Sequence, residues 1–83
     1  MPSWGDFFEE VRRNPKNVRF NDMCKLVEKF GFRFRGGKGS HRVYARQGVF
    51  EILNFQNVQG SVKPYQVRQF VNIVDKYDLK MEE

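Results

Sequence analysis

Four chain-breaking signals cut this sequence into pieces that leave room only for short elements: Asn14-Pro15, Gly31, the run Gly36-Gly37-Lys38-Gly39, and Gln59-Gly60. Proline disfavours the helical region for the residue before it, and glycine takes backbone conformations that other residues resist. Between the breaks the apolar period changes from helical to alternating and back. The 83 residues allow one domain. A chain of that size buries only about 60% of the surface its unfolded form exposes, so its core must be small. Nine Phe, three Tyr and one Trp help to fill it, because aromatic rings bury much area per residue.

Before the first break, Trp4, Phe7, Phe8 and Val11 recur at helical spacing, and Ser3 with Asp6 three residues on resembles a capping box. A short helix is expected there, either packed or a loosely attached arm. A second helix is expected from about Asp22 to Phe30, with Met23, Leu26, Val27 and Phe30 on its apolar face, Asn21 as N-cap and Gly31 as its stop. Three strands follow. "FRFR" (32–35) sets Phe32 and Phe34 on one face and Arg33 and Arg35 on the other. "SHRVYAR" (40–46) is the second, Gln47-Gly48 closes a tight turn, and "VFEILNF" (49–55) is the third. "QNVQGSVK" reads as a loop. Pro64 suits the first position of a last helix, whose stripe is Val67, Phe70, Val71, Val74 and Tyr77, running to near Leu79; the polar tail "KMEE" is expected to fray. This order predicts an α+β fold, a three-stranded antiparallel meander with two helices on one face, plus a short N-terminal helix. Residues 19–83 are then the domain proper and residues 1–18 an N-terminal extension.

The charge is informative by location. Fifteen Lys and Arg stand against ten Asp and Glu, a net of +5. Five of the basic residues, Arg33, Arg35, Lys38, Arg42 and Arg46, fall within residues 32–46, which contain no acid; elsewhere ten bases balance ten acids. One reading is a solvated basic hairpin, the other a phosphate-binding footprint. The single cysteine, Cys24, excludes an intramolecular disulfide and a cysteine-based zinc site, and fits a reducing compartment. No apolar run approaches the roughly 20 residues of a membrane span. The start "MPSWGDFFEEVRR" lacks the basic opening and apolar stretch of a signal peptide. A soluble, cytoplasmic protein is expected, with no membrane partner.

Inside the basic window, "GGKGSHRVYAR" sets the only histidine, His41, directly after the glycine-rich turn. This is not a Walker A loop, because Gly39 separates Lys38 from Ser40. The Gly-x-x-Gly spacing matches the loop by which KH domains clamp nucleic-acid backbone, but that loop joins helices and this one joins strands. Consecutive glycines bare backbone N–H groups that can hold an anion, and Lys38 adds charge. Strand parity puts His41 with Val43 and Ala45, and Arg42 with Tyr44 and Arg46. His41 is therefore either a satisfied structural histidine or a proton-transfer group at the strand's solvent end, for which imidazole is the suited side chain at neutral pH. One His, one Cys and no acid between Glu28 and Glu51 bring no ligand cluster to His41, and no metal or other cofactor is expected. Ser40 faces away from His41, against a Ser-His-Asp triad, and Cys24 sits among helical apolar positions as packing.

The stretch "KLVEKFGFRFRGGKGSHRVY", a helix ending at Gly31-Phe32, a basic run, then Gly39-Ser40-His41 and a following tyrosine, resembles the HicA family of toxins from bacterial type II toxin–antitoxin systems. The likeness spans about residues 20–79, with "PYQVRQFVNIVDKYDL" where that family keeps its last helix. It implies a dsRBD-like α-β-β-β-α fold, ribosome-independent cleavage of mRNA, action through His41, and a HicB-type antitoxin partner that blocks the site. The chain differs from typical members in its extension, residues 1–18, and in "NFQNVQGSVKPYQ" after the third strand.

On this reading a 2′-OH attacks the adjacent phosphorus once a base takes its proton, and an acid protonates the leaving 5′ oxygen. His41 serves as base or acid, assisted by Lys38, Tyr44 or water. Arg33, Arg35, Lys38, Gly39, Ser40, Arg42 and Arg46 hold the RNA, each phosphate contact adding salt-dependent affinity. The alternative is a non-catalytic RNA-binding module on the same fold.

Overall fold

The chain opens on a well-capped helix: the Ser3 hydroxyl oxygen accepts the Asp6 N–H at 3.1 Å, and α1 (Trp4–Arg13) runs from it. The computed structural model describes residues 3–82; Met1 and Pro2 of the extension and Glu83 of the tail lie outside the described residues. After α1 come α2 (Phe20–Lys29), β1 (Arg33–Gly36), β2 (His41–Ala45), β3 (Leu53–Val58), β4 (Ser61–Val62) and α3 (Pro64–Tyr77). The strands form one antiparallel sheet in the order β1-β2-β3-β4.

The α+β class stands, but the three-stranded, dsRBD-like sheet does not: the sheet has four strands. The extra strand comes from the segment expected to be a loop. Gln59 and Gly60 both have positive φ, 52° and 89°, the backbone of a two-residue hairpin turn whose twist suits antiparallel strands. The Gly60 N–H is held by the Asn57 side-chain oxygen at 2.7 Å, and Val58 pairs with Ser61 across the turn.

The third strand is also displaced. It begins at Leu53, not Val49, because the preceding residues are bound to α3. The Glu51 carboxylate accepts hydrogen bonds from Lys76 Nζ and Tyr77 OH, both at 2.7 Å, and the Phe50 N–H donates to Tyr77 OH at 3.3 Å. Held this way, Phe50 and Ile52 project outward, 91% and 60% exposed. Lys76 first, then Tyr77, lowers the Glu51 carboxyl from its usual 4.5 to about 2.

The second helix starts two residues before the expected Asp22, and its N-cap is Arg19 rather than Asn21. The cause lies in the backbone. Val18 accepts from the Val62 N–H, and the Phe20 N–H donates to Gly60, both at 2.9 Å. Arg19 bridges Ser61 in the antiparallel sense. This bridge occupies the chain up to residue 20, and the helix begins where it ends.

The core lies between one face of the sheet and the helices. Leu53, Phe55 and Tyr44 from the sheet meet Met23, Leu26 and Val27 of α2 and Val67 and Phe70 of α3, all fully buried. Phe70 packs against Phe30 and Phe32 at ring-centroid distances of 5.4 and 5.9 Å. Burial of each such ring stabilises the fold by about 1.5–3 kcal/mol. The first helix belongs to this core. Phe8 lies 4.9 Å from Phe30 between ring centroids, Val11 is buried, and Arg12 forms two 2.9 Å hydrogen bonds to Asp75. The tail packs as well instead of fraying, with Leu79 buried and Met81 against the core. Among the described residues no helix is long and apolar enough to cross a membrane.

Candidate nucleic-acid interface

Alternation along β2 sorts its side chains onto two faces, and the core takes the opposite set from the apolar one. Tyr44 is fully buried and Arg42 partly so, because their cross-strand neighbours are Leu53 and Phe55. His41, Val43 and Ala45 therefore lie on the helix-free face, where His41 is exposed. Opposite them on β3 stand Gln56, facing His41, and Asn54, facing Val43. The Asn54 and Gln56 contribution is visible in the alternation of "LNFQNV", once the strand is known to reach Val58.

The glycine-rich connection sets the position of His41. Gly37, at φ 144°, lies so close to the next strand that a Cβ there would collide with the His41 carbonyl; only glycine meets both demands. The His41 N–H then donates to the Lys38 carbonyl at 3.0 Å, and the Ser40 carbonyl accepts the Asn57 N–H at 2.7 Å. Lys38, Gly39 and Ser40 are exposed beside His41. Both His41 and Lys38 are thus exposed, joined through the backbone of one tight loop.

The arginines divide into three groups. Arg33 and Arg35 are exposed on β1, and with Arg46 they line a cleft of about 540 Å³ together with Gly31, Ala45, Gln47 and Glu82. Arg46 is partly committed to the end of α2, its Nε donating to the Phe30 carbonyl at 2.8 Å. Arg42 lies on the other face, its guanidinium 4.3 Å from the Phe34 ring centroid and its Nε 3.1 Å from Tyr44 OH. Ala45 and His41 are four residues apart on one strand, roughly 13 Å at strand rise, so a single polynucleotide strand can cover both the cleft and the histidine.

Tyr44 is not placed to assist His41. Strand alternation puts it on the face opposite His41 and Ala45, buried against Leu53, and its hydroxyl donates to Glu28 on α2 at 3.4 Å. Burial raises its pKa to about 12, aided by the Cys24 contact and opposed by Arg42. Burial likewise pushes the Cys24 thiol up, which suits a packed residue rather than a nucleophile. Among the described residues no three His, Cys, Asp or Glu side chains converge into a set that could hold a metal ion.

The arrangement offers an exposed histidine directly after the exposed loop of Lys38, Gly39 and Ser40, and, toward the other end of β2, a cleft lined by Arg33, Arg35 and Arg46. No family model matches the chain, and neither a curated protein nor a solved structure is significantly similar to it.

Proposed function

We propose that the chain binds single-stranded RNA across its helix-free face and cleaves it with His41, as a toxin of the HicA kind. The observation that carries this reading is the exposure of His41 on that face, directly after the loop that holds Lys38. Guanidiniums of Arg33 and Arg35 grip phosphates on one side of the scissile bond, and Lys38 with the bared backbone of Gly39 and Ser40 grips on the other. His41 takes the 2′-OH proton; the 2′ oxygen bonds to phosphorus, the bond from phosphorus to the 5′ oxygen breaks, and the leaving oxygen gains a proton from water or Lys38. The products are a 2′,3′-cyclic phosphate end and a 5′-hydroxyl end. A single imidazole without a paired acid predicts slow turnover, which suffices to arrest growth. The same reading makes mRNA the substrate, the cytoplasm the location, and a HicB-type antitoxin the protein that covers this face.

His41→Ala tests it. Cleavage of an unstructured RNA should fall at least about a hundredfold, with RNA affinity within about twofold of the unchanged chain. Equal cleavage by the variant would remove His41 from the chemistry. One observation favours a second reading, a non-catalytic RNA binder: Tyr44 is turned into the core, so no second side-chain acid stands on the strand beside His41. That reading holds if the unchanged protein binds RNA and does not cut it.

A further inference from the structure

The C-terminal tail carries a carboxylate into the arginine cleft. Leu79 is buried and Met81 packs on the core, and the Glu82 N–H donates to the Lys29 carbonyl at 2.6 Å. The main chain is thereby fastened to the end of α2, and the Glu82 side chain falls among Arg33, Arg35 and Arg46. One carboxylate oxygen lies 3.6 Å from Arg33 Nη2. The floor of the cleft is Gly31. A Cβ there would stand 2.6 Å from Glu82 Oε2 and 2.8 Å from Arg46 Nε, so the missing side chain makes room for both groups to converge.

We infer that this cleft is an anion site built for a phosphate group and that Glu82 is its internal competitor. Three arginines and one glutamate line the cleft, which leaves it with excess positive charge, and guanidinium forks match phosphate oxygens in geometry. A partly exposed pair at this distance is weak, so an incoming phosphate can displace it. Displacement needs only rotation of the Glu82 side chain, because the tail is held by its backbone and by Leu79 and Met81. The carboxylate thus tempers affinity for polyanions without closing the site. The inference rests on the RNA reading only for the identity of the polyanion.

The test is titration of the full chain with inorganic pyrophosphate and, separately, with a short unstructured RNA, following the backbone amides of Gly31, Ala45 and Gln47 by NMR. Glu82→Gln should bind both about three- to tenfold more tightly at low salt, the gain shrinking as salt screens the exposed charges. Adding Arg33→Gln to Glu82→Gln should abolish most of that gain. Unchanged or weaker pyrophosphate binding by Glu82→Gln would overturn the inference. Tighter pyrophosphate binding with no RNA binding by either chain would keep the anion site and remove the RNA reading. RNA binding by both chains with no effect of Glu82→Gln on either RNA or pyrophosphate would do the reverse.

Discussion

On the inner face of β2 the Tyr44 ring is closed in by Phe55 at 6.2 Å and Phe34 at 6.0 Å between centroids, and its hydroxyl is tied to Arg42 and Glu28. On the outer face, His41 is exposed and Val43 and Ala45 are small and only half covered. One five-residue strand thus carries a structural surface and a chemical one. Charge alone would not separate them, since arginines occur on both. Arg42 stacks on Phe34 and bonds Tyr44, whereas Arg33 and Arg35 are exposed, and among the described residues Arg33 touches only the Phe32 carbonyl at 3.2 Å and the displaceable Glu82 carboxylate at 3.6 Å. The distinction is whether a guanidinium has a ring and a hydroxyl to serve within the molecule.

That contrast can be broken by substitution. The largest effect on stability is expected from Tyr44→Ala, which empties a fully buried ring site and should cost about 3–5 kcal/mol in urea or thermal unfolding. A small loss would mean that the inner face is less tightly packed than described. Gly37→Ala is next. Its φ of 144° and the collision with the His41 carbonyl predict a loss of about 1–3 kcal/mol, together with NMR shifts spreading from residue 37 to His41. Unaltered shifts at His41 would show that the loop does not position it.

A smaller effect sharpens the comparison between the two connections of β2. The turn after it is anchored by Glu51, whose carboxyl is depressed to about 2 by Lys76 and Tyr77. A carboxyl lowered on folding stabilises fully above its ordinary value of 4.5 and loses that contribution as pH falls through its folded value. Acid unfolding of the unchanged chain should therefore show a decline between about pH 4.5 and pH 2 that Glu51→Gln flattens; superimposable curves would contradict the anchor. The smallest change is expected from His41→Ala, within about 0.5 kcal/mol of the unchanged stability. A larger loss would mean that His41 supports the fold and is not reserved for chemistry.

Much of this architecture is legible in the residues. Ser3 capping, the apolar faces of the three helices, Pro64 at the start of the last one and the basic strand–loop–strand follow from spacing and composition. Two things do not. Gln59-Gly60 is a weak hairpin signal because glutamine is an unusual residue at positive φ, so the short fourth strand is hidden. The choice of inner face on β2 depends on what lies across from it. Val43 and Ala45 look like the apolar set, but the register brings Leu53 opposite Tyr44, and the larger ring fills the space. His41 goes outward as a consequence, and Tyr44 is withdrawn from it. The Glu82 carboxylate is invisible for a different reason: it reaches the cleft through a contact between the end of the chain and the end of α2, far apart in sequence.

The pairing of residues 18–20 with β4 has one more consequence. A bare strand at the border of a sheet invites strands of other molecules to add to it. Here the β4 border is sheathed by the molecule's own Val18–Val62 and Phe20–Gly60 hydrogen bonds. The opposite border, β1, is four residues long, irregular between Phe34 and Gly36, and studded with Arg33 and Arg35. Both borders of the folded sheet thus carry features that discourage edge-to-edge addition of a strand from another copy.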